Sequence, residues 1–253
     1  MNAEHRQQSA ADQLDLLSIG ETLIDFISTE TSDSLHDASQ FQRYMGGSPA
    51  NIAVTVARLG GRAAVASKVG AGAFGSFLRG ELEQRGVITR YFVNDPSVQT
   101  SIIFVARTRG TPDFEAFRMG DAQLLPSDLP DYAIEQARAV HTSTWPLSRE
   151  PSRRTVIEAL QKAAHLGKIV SLDPNYHPKI WPDINEARVI LTDLYAYATI
   201  TKPSLDDSAR LFGDGLTPEQ YLERFHALGP RTVVLTMGRR GTLLSHQGTV
   251  THI

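Results

Sequence analysis

Six polar residues stand where predicted strands end or predicted helices begin: Asp25, Asn51, Asp173, Asn175, Lys202 and Thr236. A carboxylate accepts hydrogen bonds from hydroxyl groups, an amide both accepts and donates, and an ammonium group neutralises phosphate. Each residue alone reads as a cap or turn residue. Open α/β sheets, however, gather the carboxyl ends of their strands along one ligand-binding edge. Six such residues on that edge suit a polyhydroxylated ligand together with a phosphate.

The stretch Gly46-Gly47-Ser48-Pro49-Ala50-Asn51 would bring one of the six into place. Two glycines allow a sharp turn and close approach. Ser48 can cap the following helix, and Pro49 fits its first turn, where a missing N–H costs nothing. The helix, Ala50 to Leu59, carries small and branched apolar residues and is expected to be tightly buried. Its N-terminus offers free N–H groups and a positive dipole end. Local chemistry leaves this stretch open between an ordinary helix cap and a binding turn.

The elements that must position these residues alternate. Leu14–Ile19 reads as a buried strand ending at Gly20, with the polar residues Glu21 and Asp25 following it. Ala63–Val69 is a second strand and Tyr91–Val93 a short one. Segments 100–106 and 114–118 read as two strands about a Gly110/Pro112 turn, with no helix between them, so they are expected to pair antiparallel. From residue 138 the pattern is regular: strands at 139–142, 168–172, 198–202 and 231–236, and helices at 152–166, 184–194, 204–212 and 218–228. A hairpin turns at Gln247-Gly248. Alternation of this kind predicts an α/β fold, a doubly wound, mostly parallel sheet with helices on both faces. The short strands at about 23–45 and 99–118 form a small β-sheet lid. Residues 1–13 are expected to be a tail and 14–253 one α/β domain, incomplete at its C-terminus because the chain stops at a strand.

Composition narrows the function classes. With 253 residues and 41% hydrophobic content the chain can build a real core. A formal charge of −3 gives no general attraction to nucleic acid or anionic membrane. Cysteine is absent, which removes disulfides and thiolate metal sites and is compatible with a cytoplasmic location. The polar N-terminus has no signal-peptide core, and no run approaches the ~18 apolar residues of a membrane span. The eight histidines show no i, i+4 pair suited to zinc. Neither a G-x-S-x-G nucleophile elbow nor a GxxxxGK[ST] phosphate loop occurs. Gly70-Ala71-Gly72-Ala73-Phe74-Gly75 does fit the dinucleotide pattern G-x-G-x-x-G, with Asp95 twenty residues beyond Gly75, and tight-turn glycines are the alternative.

Several segments in order resemble the PfkB (ribokinase-like) carbohydrate kinases. LLSIGETLIDF is similar to the family's first strand with its substrate-binding Asp, here Asp25. GGSPANIAVTVARLGG is similar to the N-terminal signature and is the most specific piece. SKVGAGAFG resembles the strand and turn where the family has G-x-D-x-x-G. Gly72 takes the place of that Asp, so the dinucleotide match is accidental. FEAFRMGDAQLLPSDL and DPNYHPKIWPD are similar to segments of fructokinases and 2-keto-3-deoxygluconate kinases, with His177 where the second has Arg. TKPSLDDSARLFG resembles the N-x-x-E stretch that positions Mg²⁺ and phosphate, here Ser204-x-x-Asp207. VVLTMGRRGTLL is similar to the strand and turn lining the ATP site.

The resemblance implies an ATP-dependent kinase that phosphorylates a sugar or sugar-acid hydroxyl, with Mg²⁺ as cofactor. Asp25, Gly46, Gly47, Asn51 and Arg118 would bind the sugar. Lys202, Ser204, Thr236, Gly238 and Gly241 would approach ATP. Asp207 would reach the metal weakly, through water. Lid sheets of this family often pair between subunits, which implies a homodimer. The family's Gly-Ala-Gly-Asp stretch, which supplies the general base, occurs nowhere in this sequence, so no catalytic residue is assigned. The 253 residues by themselves are therefore expected to be inactive or nearly so. The alternative is a kinase-like sugar- or nucleotide-binding or regulatory protein.

Overall fold

The computed structural model describes residues 13–109 and 113–253. The expected tail and the Gly110/Pro112 turn lie largely outside them. Strands β1 (Leu14–Ile19), β4 (Ala63–Gly70), β5 (Phe92–Asp95), β8 (Ala137–Ser143), β9 (Ile169–Asp173), β10 (Ile200–Thr201), β11 (Thr232–Thr236), β12 (Thr242–His246) and β13 (Thr249–His252) form one sheet. Its order is β13-β12-β11-β10-β9-β8-β1-β4-β5. Pairing is parallel from β5 through β11, and the β11–β12 and β12–β13 pairs are antiparallel. β1 lies between β4 and β8, so the chain leaves it towards one side of the sheet and later returns on the other, and its carboxyl end opens where these connections diverge, the place open α/β sheets use for ligands.

The period-two alternation of β1 explains how both faces are covered. Leu17 and Ile19 join the larger core, with Ile134 of α3 (Asp131–Glu135), Val156 of α4 (Ser152–His165), Leu191 of α5 (Ile184–Tyr195), Leu211 of α6 (Leu205–Phe212) and Phe225 of α7 (Pro218–Leu228). Leu16 points the other way, into a second core with Ala53 of α1 (Ser48–Arg58) and Leu78 of α2 (Ala73–Gln84). Helix α1 is only half buried, contrary to the sequence expectation. Pro49, Ala50, Ala53 and Val54 face the sheet, while Leu59 is 83% exposed. A 3.6-residue period puts only one stripe of a surface helix inward, even when the outer residues are apolar.

Strands β2 (Leu23–Thr31), β3 (Phe41–Gly46), β6 (Ile102–Arg107) and β7 (Asp113–Phe117) form a separate four-stranded sheet in the order β3-β2-β6-β7. β6 and β7 pair antiparallel, whereas the central β2–β6 pair is parallel. A parallel pair needs a long crossover, and here most of the first α/β units lie between its two strands. The small sheet is thereby tied to the large one at several points. Leu23 and Ile103 on its inner face pack with Trp145 and Ile180. Among the described residues, no helix is long and apolar enough to cross a membrane.

The G-x-G-x-x-G match is a packing feature. A Cβ on Gly75 would overlap the carbonyl of Gly70 at the end of β4. Asp95 accepts the Ser97 N–H at 2.8 Å and lies 3.4 Å from the Lys68 ammonium, so it closes its own turn and an internal ion pair.

Candidate functional site

The carboxyl ends of β1, β8 and β9, the N-terminus of α1 and the inner face of the small sheet enclose a cavity of about 430 Å³. Asp25, Asn51, Asp173, Asn175 and Lys202 all line it, five of the six polar residues expected on one edge. Leu23, Ile52, Ile103 and Trp145 supply an apolar wall. A few convergent polar groups on an apolar surround is the usual make-up of a small-molecule site.

The turn before α1 is built by steric need. Gly47 is the N-cap residue, at φ 109°, and a Cβ there would overlap the Glu21 carbonyl. A Cβ on Gly46 would overlap the Asp25 carboxylate, so the missing side chain makes room for that group. Ser48 is the first helical residue and makes no side-chain cap bond, which corrects its expected capping role. Its N–H instead donates to Glu21 Oε1 at 2.9 Å. The helix end is thus capped by a carboxylate 27 residues away. Helix dipole and orphan N–H both favour an acceptor at that position.

Glu21 is 1% exposed and also accepts from the Ser143 hydroxyl at 3.2 Å. Burial pushes its carboxyl up to about 8, against the opposing pull of the Ser48 N–H, with the nearby Asp121 charge adding to the rise. Burial alone pushes Asp25 up to about 6. Asp173 is also raised by burial, held back by the Lys202 ammonium 3.0 Å away. Beneath this pair His141 is buried and pulled down to about 4, hence neutral near pH 7; its Nδ1 is 2.9 Å from Ser171 Oγ.

The residues expected near ATP divide into two groups. Lys202 lines the cavity itself. Ser204 and Thr236 form a bridge next to each other, and Thr236 N–H donates to the Pro203 carbonyl at 2.9 Å. Gly238 and Gly241 bound the tight turn after β11, both with positive φ (58° and 85°). None of these last four lines the cavity; they extend the same edge beyond it. Ser204 and Asp207 close a capping box on α6. Asp207 N–H donates to Ser204 Oγ at 3.0 Å, and the Asp207 carboxylate accepts the Ser204 N–H at 3.0 Å and its hydroxyl at 2.5 Å. That carboxylate is committed locally, and no group of three potential metal ligands exists among the described residues. The donor set therefore does not make a preassembled Mg²⁺ cage.

Arg118 lies outside the lining of this cavity. Its guanidinium is occupied by internal partners. It bonds the Asp121 carboxylate at 2.7–2.8 Å, the Trp145 carbonyl at 3.0 Å and the Ser148 hydroxyl. The Arg118 and Asp121 side chains are 2% and 0% exposed. Glu21 and Trp145 are among the lining residues that were not singled out as site residues. Both follow the carboxyl end of a central parallel strand, and that position is the signal that points to them.

The family described as pfkB family carbohydrate kinase matches residues 13–253. The ATP-dependent 6-phosphofructokinase of Thermoanaerobacterium thermosaccharolyticum is 37% identical over 232 residues, which is 92% of this chain and 71% of that protein. The probable fructokinase-4 of Arabidopsis thaliana is 34% identical over 230 residues, 89% of this chain and 70% of that protein. The structure of Halothermothrix orenii fructokinase superposes with a TM-score of 0.88 at 38% identity, covering 95% of this chain and 85% of that one.

Proposed function

This chain belongs to the pfkB family of carbohydrate kinases, which transfer a phosphoryl group from ATP to a sugar, and from that premise we propose that the cavity between the two sheets is its acceptor site. The carrying observation is that Asp25 and Asn51 line the same cavity as the Asp173–Lys202 pair. Asp25 accepts hydrogen bonds from sugar hydroxyls. Asn51, together with Gly46 and Gly47, fixes the sugar against α1. Lys202 stands between this cavity and the edge formed by Ser204, Thr236, Gly238 and Gly241, where ATP approaches. There it neutralises the phosphate being transferred, the kind of electrostatic work on which phosphoryl transfer depends.

Mg²⁺ accompanies the ATP phosphates and keeps several waters, so Asp207 serves it at most through water. Fructose leads as acceptor, with 2-keto-3-deoxygluconate second, and the reaction belongs in the cytoplasm, where ATP is plentiful. The test is incubation of the protein with ATP, Mg²⁺ and a sugar panel, read by mass spectrometry, with sugar binding measured in parallel by calorimetry. Sugar-binding heat is expected, with little or no phosphorylated sugar from these 253 residues, which lack the Gly-Ala-Gly-Asp stretch that supplies the general base. Neither product nor sugar-binding heat across the panel would sink the reading.

A homodimer through the small sheet belongs to the same proposal. On the face opposite the cavity Phe26, which also meets Phe74 of α2 at 5.9 Å, stacks on Phe104 at 5.1 Å, and Phe41 and Phe117 meet Phe104 edge-on at 5.3 and 6.0 Å. Phe117 is 45% exposed. Contiguous aromatic surface of this kind marks contact sites. Sedimentation at micromolar concentration is expected to give twice the chain mass; a monomer mass would refute the dimer.

A further inference from the structure

Trp145 forms part of the apolar wall of the cavity, opposite the polar groups just described. Its indole is fixed on two sides. The indole N–H donates to Asp121 Oδ2 at 2.8 Å, and the Arg118 guanidinium lies over the ring, 5.0 Å from its centroid. Asp121 is itself fixed by Arg118, by the Ser101 hydroxyl and by the Met119 N–H at 3.1 Å. Arg118 closes the loop on the Trp145 carbonyl. The Asp121 carboxylate and the indole N–H are both used within this cluster, and Leu23 and Ile103 pack beside the ring. An aromatic ring held this firmly has little rotamer entropy left to lose when a ligand arrives.

We propose that Trp145 is a specificity-determining residue of the acceptor site, contacting the C–H face of the sugar, and that Arg118 and Asp121 are positioning residues acting through its ring. The inference rests on the reading of this cavity as the acceptor site. A sugar ring is amphipathic: its hydroxyls suit Asp25 and Asn51, and its C–H groups suit an apolar aromatic face. Trp145 therefore selects acceptors with an uncharged, ring-shaped body at this wall. It disfavours a charged substituent against the ring, because the two charges that touch the indole, Arg118 and Asp121, already neutralise one another.

The chain has two tryptophans, and Trp181 lies in the core with its indole N–H donating to Glu186. A Trp181→Phe background therefore makes emission report Trp145 alone. D-fructose and 2-keto-3-deoxygluconate are titrated in turn, by emission and by calorimetry. Emission is expected to change with the same midpoint as the heat. Trp145→Ala is expected to weaken binding by about tenfold or more, the scale of losing one aromatic anchor. Trp145→Phe, which keeps a ring and protects the fold, should lose less. Flat emission through a titration that releases heat would overturn the inference, as would unchanged affinity in both variants. No heat with either acceptor in the unsubstituted protein would instead overturn the reading of the cavity, and the inference with it.

Discussion

Glu21→Gln is expected to make the protein more stable by roughly 3–5 kcal/mol at pH 8.5 and to change it by less than about 1 kcal/mol at pH 5. Glu21 is buried and its carboxyl is pushed up from the ordinary 4.5 to about 8. In the unfolded chain the same group ionises at its ordinary value. A raised value in the folded state means the contribution to stability is fully present below about pH 4.5. It is lost as the pH rises through about 8, because unfolding then releases a proton the native state holds. Each tenfold change in an ionisation constant is about 1.4 kcal/mol, which sets the size of the loss.

Glutamine has the same shape and no charge. Its carbonyl can accept the Ser48 N–H, and its amide can donate to the Ser143 hydroxyl. The two contacts that matter survive, and the pH-dependent loss does not. Urea unfolding at the two pH values measures the difference. A variant equally destabilised at both would show that Glu21 is held by geometry alone and that its burial carries no ionisation cost. The neighbouring Asp121 works in the same direction, since its charge raises Glu21 further.

Glu21 also shows where sequence reading stops. Gly46 and Gly47 were legible because their requirement is local: a turn and a close approach leave no room for a Cβ. The parallel sheet was legible because strands and helices alternate with recognisable apolar periods. The Glu21–Ser48 bond joins residues 27 apart, and no period or motif encodes that pairing. Ser48 next to Pro49 looks like a cap by residue type, yet the incoming carboxylate takes its place.

Arg118 illustrates the converse. The resemblance to the carbohydrate kinases implied a sugar or phosphate contact for Arg118. An aspartate three residues on satisfies it in the buried interior, and the guanidinium then serves Trp145. Ser204-Leu205-Asp206-Asp207 carries two readings at once. Its spacing is that of a capping box, and it also resembles a metal-positioning stretch. The structure makes the box, and the box occupies the carboxylate.

Asp25→Ala is expected to reduce acceptor affinity by about 10²-fold while leaving the fold intact. A hydrogen bond to a charged group contributes roughly 1.5–3 kcal/mol, and a site built to bind hydroxyls loses more when its own partner groups are left unpaired. Asp25 stands alone among the cavity carboxylates: Asp173 is paired with Lys202 and Glu21 with Ser48, whereas burial is the sole cause of the Asp25 shift. Its free oxygens are thus available to a ligand. Because its carboxyl sits at about 6, the ionised acceptor form fills in only above that pH. Sugar affinity should therefore rise between pH 5 and pH 7 in the unsubstituted protein. Asp25→Asn should bind weakly at every pH and show no such step. The same raised value means Asp25 favours the folded state most below about pH 4 and loses that contribution as the pH passes 6, so Asp25→Asn should unfold no more easily at pH 7. Calorimetric titration of the three proteins with D-fructose at pH 5, 6 and 7 separates these effects. A pH step that persists in Asp25→Asn would assign the titrating acceptor to another group, and the burial of Glu21 and its bond to Ser48 make it the group to examine first.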